Sequence, residues 1–171
     1  MNSKILKIGF IILLILSLTL NVILNEKVKT NQKFMNNIYL EFISNEFSIA
    51  RNLNMLVDHA DKQQGMDYYQ TLRNVKRASD INSYFMYKIN IDGNMISFVE
   101  KSSNIIFSFY EKSLSDELTE EDFLALGDLN SIYQIFVEGS EDLNFTSFTI
   151  SDIKEELSKR AERVTGAGYL D

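Results

Sequence analysis

The chain has 171 residues, a net charge of −7 and no cysteine. The acidic balance disfavours nucleic acid as a partner, and the lack of cysteine excludes disulfides and thiolate metal sites. The chain has no proline and only seven glycines. It therefore has few of the turn-forming residues that all-β proteins use between strands, and the composition favours long helices.

The first predicted element is an uncharged apolar run over residues 8–25. Counted together with Ile5 and Leu6, the run reaches the roughly 20 helical residues that cross a bilayer core. The residues after it contain no small-x-small pattern, which disfavours a cleaved signal peptide. Apolar residues lie on every face of the predicted helix, which disfavours a buried helix of a soluble protein. We therefore expect an uncleaved anchor that contacts the lipid bilayer through residues 8–25.

The orientation of this anchor follows from the short segment before it. Lysines lie on both sides of the run, so the positive-inside rule alone gives no clear answer. A very short tail that carries Lys4 and Lys7 normally stays inside, whereas a long domain can be translocated regardless of its charge. The sequence thus predicts a cytoplasmic tail over residues 1–7, an extracytoplasmic domain over 26–164 and a loose tail over 165–171.

The predicted domain contains five stretches in which apolar residues recur with helical spacing. The first three cover Lys33–Val57, Met66–Ile89 and Met95–Leu114. Phe34 is assigned to the apolar face of the first and Tyr69 to that of the second, and Glu46 falls among the polar residues of the first. The fourth opens at Thr119 with Asp122 three residues later, which is a capping pattern, and closes at Gly139. The fifth covers Asp152–Val164, with Thr149 and Ser151 as candidate caps.

The connections between these helices are short and polar. The segment 58–65 is predicted to be a loop, Gly93 is predicted to stop the second helix in the left-handed conformation, and Asn144–Ile150 is predicted to be a packed loop. Short connections favour antiparallel neighbours, so the expected fold is all-α, with one transmembrane helix followed by a bundle of four to five helices. The alternative is a small α/β sensor domain of the Cache or PAS kind, in which Met86–Ile96 forms two strands around an Asp-Gly turn.

No group of residues points to catalysis, a cofactor or a metal. The sequence around Asp92 departs from a calcium loop, because Lys88 and Val99 occupy ligand positions. The only histidine, His59, lies in a polar loop that cannot hold a fixed geometry. Two acidic groups lie at predicted helix ends, where such residues are ordinary: Glu117, Glu120, Glu121 and Asp122 in one, and Glu138, Glu141 and Asp142 in the other.

One basic trio reverses the acidic charge locally. Arg73, Lys76 and Arg77 share one side of the second predicted helix. Salt bridges to neighbouring helices would explain them, and the alternative is a docking patch for an anionic partner.

This layout resembles that of small envelope proteins of Gram-positive bacteria. It implies a non-enzymatic module that binds a membrane or envelope protein. The alternative is a ligand-sensing ectodomain that works with a separate signalling partner, because aromatic residues between helices can line a pocket.

Overall fold

A computed structural model describes residues 3–58, 66–140, 143–166 and 168. Within these ranges the side chains of residues 3–9, 11, 66 and 146 are not described. Residues 59–65 of the predicted loop, which include His59, lie outside the described residues, as do Glu141, Asp142 and most of the predicted C-terminal tail.

The described chain consists of five α-helices and one 3₁₀ turn. The helices are α1 (Ser3–Asp58), α2 (Met66–Met86), α3 (Gly93–Leu114), α4 (Glu120–Val137) and α5 (Ile150–Gly166), and the 3₁₀ turn covers Phe145–Ser147. No strand occurs in the described ranges. The all-α prediction is therefore confirmed, and the alternative mixed fold is wrong because the residues of its proposed second strand begin α3.

The chain divides into two compact units, residues 1–37 and residues 38–171. In the first unit, the large apolar side chains described between Phe10 and Leu24 are all at least 50 % exposed. Three residues of the predicted anchor, Ile8, Gly9 and Ile11, have no described side chain. Among the residues that are described, no helix has the length and apolar character required to cross a membrane.

The second unit has its own hydrophobic core. Phe42, Leu72, Phe98 and Phe136 come from four different helices and are each at most 2 % exposed. The predicted apolar face of α5 is also buried, with Ile153, Leu157, Ala161 and Val164 at 0–1 % exposure. Burial of this kind supplies most of the stability of a helical bundle.

Two threonines fix the starts of α4 and α5. The backbone N–H of Thr119 donates to Asp122 Oδ2 at 2.9 Å, and the Asp122 N–H donates back to Thr119 Oγ1. Thr149 and Asp152 make the same reciprocal pair, with a distance of 2.8 Å from Thr149 N to Asp152 Oδ2. Both pairs satisfy backbone donors that the first turn of a helix leaves free, so these predicted caps are confirmed.

The chain between α2 and α3 departs from the prediction. The second helix ends at Met86 rather than Ile89, and Gly93 is the first residue of α3 rather than a helix stop. The cause is Asp92, whose carboxylate accepts a hydrogen bond from Asn94 N at 2.7 Å and caps α3. An Asp-Gly pair suits either role, and the aspartate determines the outcome here. The predicted end of the fourth helix at Gly139 agrees with the structure, where α4 ends at Val137 and Gly139 has φ +69°.

Three residues were also assigned to the wrong face of their helix. Phe34 and Tyr69, assigned to apolar faces, are 63 % and 46 % exposed. Glu46, assigned to the polar residues of the first helix, is 1 % exposed. The buried side of α1 also includes Tyr39, which is 2 % exposed and donates from its hydroxyl to the carbonyl of Asn90 at 3.1 Å.

Candidate functional site

The predicted docking trio lies on α2, but its three side chains have different surroundings. Lys76 is half-buried, pairs with Asp80 of its own helix at 2.6 Å, and lies over the rings of Phe107 and Tyr110 at 5.4 and 5.6 Å. Arg73 and Arg77 are exposed. Neither arginine forms an ion pair within the part of the chain that the structure describes.

The two exposed arginines belong to a longer exposed stripe on α2, which we call the α2 face: Tyr69, Arg73, Arg77, Asp80 and Tyr84. Steps of three or four residues place these side chains on one side of a helix. Tyr69 is 46 % exposed and Tyr84 is 62 % exposed. Tyrosine and arginine are the residue types most enriched at the energetic centres of protein interfaces. The α2 face therefore has the composition of a binding surface.

A second feature is a buried polar cluster, which we call the Glu46 cluster: Glu46, Asn82, Tyr133 and Asn45. Glu46 Oε1 accepts a hydrogen bond from Asn82 Nδ2 at 2.7 Å, and Glu46 Oε2 accepts one from Tyr133 Oη at 2.8 Å. Asn82 Nδ2 also donates to the Phe42 carbonyl at 2.9 Å, and Asn82 Oδ1 accepts from Asn45 Nδ2 at 2.9 Å. The cluster thus joins α1, α2 and α4 through their interior faces.

Burial dominates the chemistry of this cluster. Loss of hydration raises the pKa of Glu46 to about 7, although the hydrogen bonds from Asn82 and Tyr133 oppose the shift. The pKa of Tyr133 rises well above its ordinary value, first because the phenol is buried and second because Glu46 is beside it.

The sequence did not lead us to predict this cluster, although it contains one signal for it. Glu46 lies four residues after Phe42 and three before Ile49, which are spacings of the apolar face of α1.

A third feature is the side chain of Arg160, which is 1 % exposed. Its guanidinium donates to the carbonyl of Phe136 and to Glu138 O at 3.5 Å, where α4 ends, and pairs with Glu156 at 2.6 Å. It also lies over the ring of Phe47 at 5.2 Å. Burial lowers the pKa of Arg160, while its pairing with Glu156 opposes that shift. Arg160 therefore fastens α5 to the carboxyl end of α4 and to α1.

An open groove of about 580 Å³ lies beside α1. Five apolar residues and three polar ones line it: Leu40, Ile43, Phe47, Leu143 and Phe145, with Glu41, Ser44 and Asn144. Its volume is within the range of small-molecule sites.

Two acidic residues near helix ends, Asp92 and Asp122, make structural hydrogen bonds. Asp122 accepts a hydrogen bond from Lys112 Nζ at 2.6 Å, and this contact together with the cap lowers the pKa of Asp122 to about 2. Asp92, the centre of the rejected calcium pattern, caps α3. Within the described residues, no group of three or more histidine, cysteine, aspartate or glutamate side chains is arranged to hold a metal ion.

Comparison of the chain with protein-family models, with curated proteins and with solved structures gives no match.

Proposed function

We propose that the chain is a membrane-tethered helical module of the bacterial cell envelope. Its extracytoplasmic bundle binds another membrane or envelope protein and catalyses no reaction. The single observation that carries the proposal is the apolar surface of the first unit, which no described residue covers.

The tether is supported by this apolar surface, which surrounds its helix. Phe10, Leu13 and Leu16 are 68 %, 67 % and 60 % exposed, and the large apolar side chains from Leu18 to Leu24 are also exposed. The full run in the sequence adds Ile8, Gly9 and Ile11. A protein groove would cover one stripe of such a helix, whereas lipid covers every side. Lys4 and Lys7 before the run favour a cytoplasmic amino terminus.

The α2 face supports a protein partner. Arg73 and Arg77 have no acidic partner among the described residues, and tyrosines extend the stripe at both ends. A partner with acidic and apolar residues on its contacting surface would complement this composition. The Glu46 cluster does not suggest catalysis, because its carboxyl is 1 % exposed and a substrate could not reach it.

The tether is tested by extracting membranes of cells that express the full chain with alkaline carbonate. We expect the chain to remain in the membrane. A variant with Leu16→Lys and Leu20→Lys should be released, because each lysine costs about 3 kcal/mol at the centre of a spanning helix. Leu16→Ile with Leu20→Ile is the matched control and should be retained. Release of the unmodified chain would refute the tether.

The orientation is tested by thiol labelling, because the chain has no cysteine of its own. Ser147 is exposed, so Ser147→Cys offers one thiol on the bundle. A membrane-impermeant maleimide should label Ser147→Cys in intact cells, and should label Asn2→Cys only after the cells are permeabilised. The reverse pattern would refute an extracytoplasmic bundle.

The partner is tested with a photo-crosslinking residue in place of Tyr84 on the α2 face. In membranes this residue should form one discrete adduct, and Arg77→Glu should abolish it by reversing the charge. A crosslinker in place of Glu155, an exposed residue of α5, is the control and should not form that adduct. An adduct that persists with Arg77→Glu would refute the assigned surface.

A ligand-sensing ectodomain with a separate signalling partner is the second candidate, and the groove beside α1 favours it. Apolar side chains with a few polar groups are typical of small-molecule sites. A ligand in the groove would raise the melting temperature of the full chain, and Phe47→Ala should remove that response. No shift across a broad panel of small molecules would count against this candidate.

A further inference from the structure

The Glu46 cluster brings one acidic group into a site where water does not reach it. Glu46 is 1 % exposed and Asn82 is fully buried. Both hydrogens of the Asn82 amide are used, one on Glu46 at 2.7 Å and one on the Phe42 carbonyl at 2.9 Å. Tyr133 has a single hydroxyl proton, which it donates to the other carboxylate oxygen at 2.8 Å. An ionised Glu46 therefore receives two neutral hydrogen bonds from these partners and has no further donor from them.

No element that packs around Glu46 supplies a described positive charge to balance it. Asn82 of α2 is neutral, and Tyr133 of α4 is the titratable neighbour, with Ser102 of α3 beside the phenol. From α5, Lys154 lies over the Tyr39 ring at 5.5 Å and Arg160 lies over the Phe47 ring at 5.2 Å. The ion pair of Arg160 is with Glu156, and neither cation pairs with Glu46 in the described structure.

We propose that Glu46 makes the packing of α1 against α2 and α4 proton-dependent. With the proton bound, the carboxyl is neutral and the three helices pack closely. Loss of the proton leaves a buried charge at the junction of the three helices, with only neutral donors, and weakens the attachment of α1. This inference does not depend on the proposed tether or on the proposed partner.

The direction of the effect follows from proton linkage. The pKa of Glu46 is raised from 4.5 to about 7 in the folded chain, so between these values the folded state binds more protons than the unfolded state. Stability is then highest below the unfolded pKa, falls as the pH rises toward 7, and levels off above it. Across that interval the ratio of folded to unfolded chain should decrease by about two orders of magnitude.

The experiment is urea unfolding of the full chain in detergent between pH 4.5 and 8.5, followed by circular dichroism. The urea midpoint of the unmodified chain should decrease toward pH 8. Glu46→Gln should remove most of that decrease and unfold at a higher midpoint than the unmodified chain at pH 8. Glu41→Gln, which changes an exposed glutamate of the same helix, should behave like the unmodified chain. A midpoint that does not vary with pH, or an equal decrease in Glu46→Gln, would overturn the proposal.

A second measurement keeps the proposal testable if Glu46→Gln fails to fold. Amide hydrogen exchange of the unmodified chain at pH 5.5 and pH 8 is corrected for the intrinsic effect of pH on exchange. Protection should decrease at pH 8 in residues 38–58 of α1 and in the facing segments of α2 and α4, and should persist in α5. An equal loss of protection in all helices, or no loss, would overturn the proposal.

Discussion

Replacing Arg160 by Met tests whether one buried cation fastens α5 to the rest of the bundle. The methionine fills a similar volume but loses the pair with Glu156 at 2.6 Å, the hydrogen bonds to the carbonyls of Phe136 and Glu138, and the stacking on Phe47. Removing one partner of a buried ion pair costs about 3–5 kcal/mol. Glu156 is 19 % exposed and water can solvate it once it is unpaired, so we expect about 3 kcal/mol, at the lower end of that range.

The assay is urea unfolding of the full chain, with Lys159→Met as the matched control. Lys159 precedes Arg160 on the same helix and pairs with Glu155 at 2.7 Å, but both side chains are more than half exposed. Exposed ion pairs of this kind contribute little to stability. The control should therefore unfold at the same urea midpoint as the unmodified chain. A destabilisation by Arg160→Met of less than about 1 kcal/mol, the typical effect of an arbitrary substitution, would show that Arg160 does not fasten α5. An equal effect of Lys159→Met would show the same.

Three further predictions concern α4 and its two ends. Gly139→Ala places a side chain at φ +69° and should destabilise the chain by about 1–2 kcal/mol, whereas Gly127→Ala, within α4 where an added Cβ meets no atom within 4 Å, should stabilise it by about 0.5–1 kcal/mol. If the urea midpoints of the two alanine variants shift in the same direction, the two expectations cannot both be right. Thr119→Ala removes the cap of α4 and should cost about 1 kcal/mol, while Thr119→Ser keeps the hydroxyl and should cost less. The pKa of Asp122 is lowered from 3.8 to about 2, first by the hydrogen bond from Lys112. The ionised carboxylate therefore stabilises the folded chain above pH 3.8, and this stabilisation is lost as the pH falls toward 2. Asp122→Asn should reduce this acid sensitivity in a pH titration of helicity, and an unchanged titration would contradict the assignment.

The helices were predictable from the sequence because their signals are local. The cap at Thr119, the stop at Gly139 and the apolar period of α5 each involve residues within a few positions of one another. The boundary at Gly93 was not predictable, because an Asp-Gly pair can occur both where a helix ends and where a helix begins. The choice depends on which neighbouring amide the Asp92 carboxylate reaches.

The buried polar residues were only half predictable. Glu46, Asn82 and Arg160 each recur with the apolar face of their own helix, so their burial has a signal in the helical period. Their partners have no such signal, because each contact depends on which helices meet in three dimensions. Without the partner, a polar residue on an apolar face is normally assigned to the surface, and that assumption placed Glu46 wrongly.

The bond between Glu46 and Tyr133 also has a consequence for how the chain is made. The two residues are 87 positions apart, so the interior side of α1 is synthesised long before α4 covers it. At about 5–20 residues per second, the interval is roughly 4–17 s. Phe42, Ile49 and Leu53 lie on this interior side and are each at most 1 % exposed in the finished bundle. The hydrogen bond from Tyr133 to Glu46 therefore forms only after α4 has left the ribosome, so this side of α1 reaches its final packing late in synthesis.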